Sequence, residues 1–293
     1  MESSSTTIRT LLDAKARRLG YFLTEAEVVQ QFNRVIVNIP ADARVATTNP
    51  ERTELSRHTN IRWRWSQGGA LFILQLADMT VVPMRLRDAG APSWGGHYTA
   101  PSGLAGAPDE WVEPHKVALR EGFEEVIIAT SDGLVVPYFE EAQFNPIAWG
   151  AVASGVDLIR KEPLLPEIFR TGKLIQRRAK LRHGLYERDI VVQFDGEECS
   201  MTKAYPVFDP GTRGIDVMYI VEVDLTSYNL DAISIYCGEE AKRKSLDSEM
   251  ALLEMRDGHP CGIIRSFKTG VSVKTTGDVT KVTPVLAQTL AML

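Results

Sequence analysis

Glu121, Glu124 and Glu125 follow Arg120 inside the stretch HKVALREGFEEVII. Their spacing is i, i+3 and i+4, so on an α-helix the three carboxylates share one face. Like charges at this spacing repel by roughly a few tenths of a kcal/mol per pair, and a helix has no internal reason to gather them. A hard divalent cation supplies one. Mg²⁺ takes oxygen ligands in octahedral geometry and leaves places for water and phosphate oxygens. Without a cation, neighbouring carboxylates raise one another's pKa. The plainer alternative is a solvated acidic face, offset by Lys116 and Arg120.

The pattern predicts a helix from about Pro114 to Ile128, with Phe123, Val126 and Ile127 as its apolar side. Strands must hold it. ALFILQLA is a buried apolar run, and TVVPMRLR partly alternates. GGHYTAPSG is a short extended piece ending in Pro and Gly. SDGLVVPYF reads as a turn at Asp132-Gly133 running into a strand, and RDIVVQFDG and GIDVMYIVEVDL read as further strands. SEMALLEMRDG fits a strand or a short helix. TPVLAQTLAML reads as a closing helix capped by Thr283, with Pro284 at its first position.

The stretch from Ile8 to Val37 has helical periodicity, and a loop rich in Pro, Asn and Thr follows it. A boundary near residue 50 is expected, with residues 1–50 as a helical extension and residues 51–293 as the main domain. Residues 140–185 read as a mostly helical insertion. Its basic part, Lys173, Arg177, Arg178, Lys180, Arg182 and His183, reads as an amphipathic helix with a solvated cationic face or as a guide for polyphosphate or RNA.

Bulk composition limits the classes. With 44% hydrophobic and 24% charged residues, the chain can bury a real core. A net charge of -5 argues against coating nucleic acid or anionic membrane by bulk charge. Cys199, Cys237 and Cys261 have no CxxC spacing, which argues against a disulfide framework and a structural zinc site and for a reducing cytosol. No apolar run approaches about 20 residues, and the N-terminal stretch lacks a secretory pattern, so a cytoplasmic protein without a membrane span is expected.

The REGFEE core resembles the heart of the Nudix box, whose pattern is Gly, five residues, Glu, seven residues, Arg-Glu-apolar-x-Glu-Glu-x-Gly-apolar. Arg120, Glu121, Glu124, Glu125 and Ile128 match it, and Gly106 falls in register. HYTAPSG resembles the preceding strand and turn, YIVEVDL a core strand, and VTPVLAQTLAML the closing helix. Val112 stands where the pattern has the upstream Glu, with Glu110 and Glu113 close by; a one-residue slip would let Glu113 substitute. Gly122 replaces an apolar residue, at about 1 kcal/mol relative to Ala in mid-helix. Ile127 replaces the Gly that helps end the helix.

The resemblance implies an α+β fold, an α/β/α sandwich around a mixed sheet. It implies a hydrolase that uses Mg²⁺, with Mn²⁺ as a substitute, to cleave the diphosphate of a nucleoside diphosphate linked to another moiety. An ADP-ribose-like nucleotide sugar or a dinucleotide is the expected substrate. Glu121, Glu124 and Glu125 would bind the metal, and Arg120 would hold them in place. Family members often take a further acid from a distant loop; Glu239 and Glu240 rank equally, ahead of Asp231 and Glu222. Removal of a nucleotide cap from RNA and non-catalytic nucleotide sensing are the alternatives, and a homodimer through the N-terminal helices is a family habit. For the base or ribose, Trp94, His97 and Tyr98 precede the box, and Trp63 and Trp65 alternate with Arg62 and Arg64. Core or dimer packing is the commoner use of such aromatics. His97 and His115 have no metal-ligand spacing.

Overall fold

The structure, a computed structural model, describes residues 34–39, 65–91, 94–105, 110, 113–182, 188–194, 197–209, 214–238, 249–277 and 281–293. Its strands are β1 (Arg34–Ile39), β2 (Trp65–Leu76), β3 (Thr80–Leu86), β4 (Tyr98–Thr99), β5 (Ser102–Leu104), β6 (Ile127–Thr130), β7 (Gly133–Phe139) and β8 (Leu174–Leu181). They continue with β9 (Arg188–Phe194), β10 (Glu197–Asp209), β11 (Gly214–Leu225), β12 (Ile233–Tyr236), β13 (Glu249–Arg256), β14 (His259–Lys268) and β15 (Val271–Gly277). The helices are α1 (Pro114–Glu125), α2 (Asn145–Ile159), α3 (Glu167–Thr171) and α4 (Pro284–Ala291).

The chain is α+β, dominated by one mixed sheet. Its longest path runs β12-β6-β7-β8-β11-β2-β3-β13-β14-β15. β2 pairs parallel with β11, and β7 pairs parallel with β8. β4 and β5 add short antiparallel pairs to β3 and β2. β10 continues from β11 to β9, which pairs parallel with β1.

β2 explains the layering. It is apolar almost throughout because both of its faces are covered. Ala70, Phe72 and Leu74 join one core, which includes residues of α1, α2 and α3. Leu71 and Ile73, pointing the other way, join a second core with Val285, Leu286 and Leu290 of α4. The sheet therefore has helices on both sides. α4 begins where the sequence predicts: Thr283 accepts the Leu286 N–H at 3.3 Å, and Pro284 occupies the first helical position.

α1 lies along β2. Gly122 is the reason it can approach so closely, since a Cβ there would lie 2.9 Å from Ala70 Cβ and 3.0 Å from the Phe72 ring. The glycine that looks costly from helix propensity is thus required by packing. Beside it, the Phe123 ring meets Phe72 edge-on at 4.8 Å.

Three expectations are corrected. α1 ends at Glu125, not Ile128: Val126 is extended, and Ile127 and Ile128 enter β6 opposite Tyr236 and Ile235 of β12. Buried β-branched residues serve a strand here better than another helical turn. Residues 140–185 are only partly helical. Arg177, Arg178 and Lys180 of the basic stretch lie on β8, held between β7 and β11, and His183 lies outside the described residues. Gln176, Arg178 and Lys180 are exposed at alternate positions, a period of two. The helical reading from Ile8 to Val37 also fails at its end, because RVIVNI is strand β1. The rest of the proposed N-terminal extension lies outside the described residues, as does the boundary near residue 50.

Candidate functional site

α1 buries Val117, Ala118, Leu119, Gly122 and Phe123 against the sheet, which leaves Arg120, Glu121 and Glu124 at the edge of the packed face. Arg120 is the hub. Its Nε donates to Glu110 Oε1 at 2.5 Å and its Nη2 to Glu110 Oε2 at 3.1 Å, a forked pair with a carboxylate that is 7% exposed. Nη2 also donates to the Leu104 carbonyl at 3.0 Å. Nη1 donates to Glu121 Oε1 and stands 3.8 Å from Glu124 Oε2. Burial works against the Arg120 charge, but the Glu110 hydrogen bond and the charges of Glu121 and Glu110 outweigh it. The guanidinium pKa lies above its ordinary value.

Glu121 is placed from the other side by β5. A Cβ on Gly103 would overlap the Glu121 carboxylate. The bare backbone at Gly103 makes room for that carboxylate. Glu125 points elsewhere. It is 4% exposed and forms an ion pair with Nη1 of Arg85 on β3. The carboxylates on one helix are therefore shared between two guanidinium groups. Among the described residues no group of three or more His, Cys, Asp or Glu side chains stands ready to hold a metal ion.

The end of α1 is closed by two glycines. A Cβ on Gly155 of α2 would come within 2.9 Å of Ile127 Cδ1, and one on Gly238 would overlap the Glu124 carbonyl oxygen. Gly238 directly precedes Glu239 and Glu240. Those two expected acids lie outside the described residues, as do Gly106 and Val112.

Glu113 does not take the Arg120 position that a one-residue slip would give it. It pairs with Lys116 at 2.5 Å and lies 3.8 Å from His115 Nε2. Glu110 holds Arg120 instead. That partner, Gly103 and Arg85 are the site residues that periodicity misses. The sequence before Pro114 has no regular apolar spacing, and Arg85 reads as one polar position in an apolar strand. The available signals were a Gly in the PSG turn and a charge at a buried-strand position.

The remaining candidates are spread out. Trp94 and His97 meet edge-on at 6.0 Å in the hairpin loop between β3 and β4. Trp94 has φ 56, an uncommon conformation for a bulky residue, and backbone bonds between Arg87 and His97 close the loop. Tyr98 pairs with Leu86 in β4. Trp63 is outside the described residues, and the side chain of Trp65, the first residue of β2, is not described. Asp231 binds Arg265 at 2.7 Å, and Glu222 lies 2.8 Å from Lys180 and 3.8 Å from Arg182. On β8, Arg177 reaches Asp132 at 3.2 Å, and Arg178 pairs with Glu140. The basic stretch thus faces acids of its own chain.

His115 packs edge-on against Phe144 at 5.4 Å and Tyr219 at 6.5 Å. Burial lowers its pKa, with Glu113 opposing and Lys116 adding to the shift. The neutral ring is therefore the folded form. A lowered folded pKa means stability is whole above the unfolded value, about 6.5, and falls as pH drops through the folded one. Urea unfolding should show a loss between pH 7.5 and pH 5.5 that His115→Gln reduces; an equal loss in both proteins would remove His115 as the cause.

The chain matches no protein-family model, no curated protein and no solved structure. No helix among the described residues is long and apolar enough to cross a membrane.

Proposed function

We propose that this chain is a Nudix-type pyrophosphohydrolase that cleaves the diphosphate of a nucleoside diphosphate linked to another moiety, an ADP-ribose-like nucleotide sugar or a dinucleotide. The observation that carries this reading is the Arg120 clamp. Arg120 ties Glu110 to Glu121, while Gly103 gives the Glu121 carboxylate its place. Gly103 and Glu110 would supply the Gly and Glu of the Nudix pattern at longer spacings than the register through Gly106 and Val112. Val112 then no longer counts against the motif. The layered sheet, with helices on both sides, is compatible with the same family.

The donor set is oxygen-only and on one helix, as a hard divalent cation prefers, but Glu125 is turned to Arg85 and the three carboxylates are not gathered around one point as they stand. Glu121, Glu124 and Glu125 would hold it, in exchange for guanidinium partners. When bound, Mg²⁺ supplies charge neutralisation at the diphosphate and a more acidic water. Arg120 positions Glu121 and Glu124, and Glu110 positions Arg120. The hairpin carrying Trp94 and His97 is the proposed base-contacting edge. With its cations matched by Asp132, Glu140 and Glu222, β8 lends no separate support to an RNA substrate.

The test is a panel of ADP-ribose, dinucleotides and capped RNA with Mg²⁺ or Mn²⁺, against a Glu124→Gln, Glu125→Gln double variant. Turnover of free ADP-ribose or a dinucleotide by the wild type alone is expected. Saturable nucleotide binding with no turnover above the double variant would replace the enzyme by a sensor.

A further inference from the structure

The two ends of the longest sheet path are finished differently. β12 closes one end with Ile233, Ile235 and Tyr236 buried. β15 closes the other with Val271 54% exposed and Val273 56% exposed. Ser272 and Lys274 are exposed as well, so neither face of this strand is covered. No strand other than β14 pairs with β15 among the described residues. Edge strands usually resist a further strand through prolines or several charges. β15 has no proline, and Lys274 is its only charge.

The hairpin geometry decides what this edge offers. Thr269 (φ 52) and Gly270 (φ 75) form the turn between β14 and β15, and Lys268 stands opposite Val271. Two left-handed residues make a type I′ turn, whose flanking residues exchange hydrogen bonds. Alternation then turns the N–H and C=O of Val271 and Val273 toward β14, and those of Ser272 and Lys274 toward the open side. A Cβ on Gly270 would lie 2.8 Å from the Phe169 ring of α3, so the turn is seated on the body of the protein.

Charge selects the occupant. Asp231 is held below the usual carboxylate range by the hydrogen bond and charge of Arg265, with the charge of Lys274 acting the same way. The one cation of the edge is thus matched within its own chain and gives an acidic peptide little to hold. A neutral, β-branched edge suits a copy of itself, and the antiparallel registers open to two such edges differ. A two-fold axis at Ser272 runs into the turn. An axis at Lys274 sets lysine against lysine, which is unfavourable. An axis at Val273 joins Ser272 of each copy to Lys274 of the other by backbone hydrogen bonds, once on each side of the axis. It also places Val273 against Val273 and Val271 against Thr275, the β-branched cross-strand pairs that stabilise sheets.

We propose that β15 is a homodimerisation edge: two copies of this chain pair antiparallel through β15 about a two-fold axis at Val273, making one continuous sheet. This stands apart from the pyrophosphohydrolase reading. A single strand pair buries less than the roughly 1,200 Å² of a standard interface, so the dimer is weak and concentration-dependent.

Sedimentation velocity of the full chain over a concentration series is the test, with Val273→Lys and Val273→Glu alone and in equal mixture. Wild type should pass from monomer to dimer as concentration rises. Each variant alone sets like charges across the axis and should dimerise about tenfold more weakly or worse. Their mixture should recover the dimer, because the axis then holds a Lys–Glu pair; a merely sticky apolar edge would gain nothing from it. A wild type that stays monomeric, a dimer that Val273→Lys leaves unchanged, or a mixture that stays monomeric overturns the proposal. Ser272→Pro serves should the charged variants fail to fold. It removes an N–H that points away from β14, so the hairpin is kept and the dimer should be lost; a dimer as tight as wild type there also overturns the proposal.

Discussion

If the proposed pyrophosphohydrolase activity holds, Gly103→Ala is expected to lower its turnover by about 10²-fold while leaving the melting temperature nearly unchanged. The two halves of this expectation have separate physical causes. Gly103 has no left-handed φ, so alanine suits its backbone, and replacing glycine there restricts the unfolded chain. The atoms nearest the added methyl all belong to the Glu121 carboxylate, the far end of a flexible side chain. That end can swing aside without moving the helix or β5. Its new position is the damage. A displacement of about 1 Å in a group that must meet a cation or a substrate is enough for a loss of this size. Mn²⁺ affinity, thermal unfolding and turnover measured on one preparation separate the outcomes. Normal turnover with an intact fold would show that Glu121 is not needed where it stands.

The carboxylate helix, the capped C-terminal helix and the strands around Leu71, Val135 and Val221 were legible because their signals are local. Periodicity, a Thr-Pro start and runs of β-branched residues are read within a few neighbours. β8 was not legible in that way. KLIQRRAKL has helix-forming residues, and what makes it a strand is pairing with Val135 through Phe139 on one side and Glu222 on the other, both distant in sequence. The same holds at the site. Arg120 and the three glutamates could be found from spacing alone. Their partners could not, since Glu110 lies ten residues before Arg120 in a stretch without apolar periodicity and Arg85 lies on a strand far upstream of Glu125. Gly122 was read as a cost and proved to be a contact surface, because propensity scales describe a solvated helix and not one pressed against Ala70 and Phe72.

Arg120→Met is expected to destabilise the protein by about 2–3 kcal/mol, below the full figure for breaking a buried pair because the guanidinium retains some exposure. Methionine can follow the aliphatic stem, so packing is largely kept. The cation is lost, and with it the shared charge partner of Glu110, Glu121 and Glu124. Glu110 suffers most, being 7% exposed and gripped by both arms of the fork. A divalent ion should return part of the loss, because it neutralises carboxylates that the arginine no longer reaches. Mn²⁺ at about 100 times its dissociation constant adds roughly 2.7 kcal/mol to any fold that binds it only when native. If the two cations serve the same carboxylates, the gain in melting temperature on adding Mn²⁺ should be larger in Arg120→Met than in wild type. Equal gains would mean that Arg120 and the metal act on separate groups. A variant as stable as wild type without Mn²⁺ would mean that water already satisfies these acids, and that the cluster is only a solvated face.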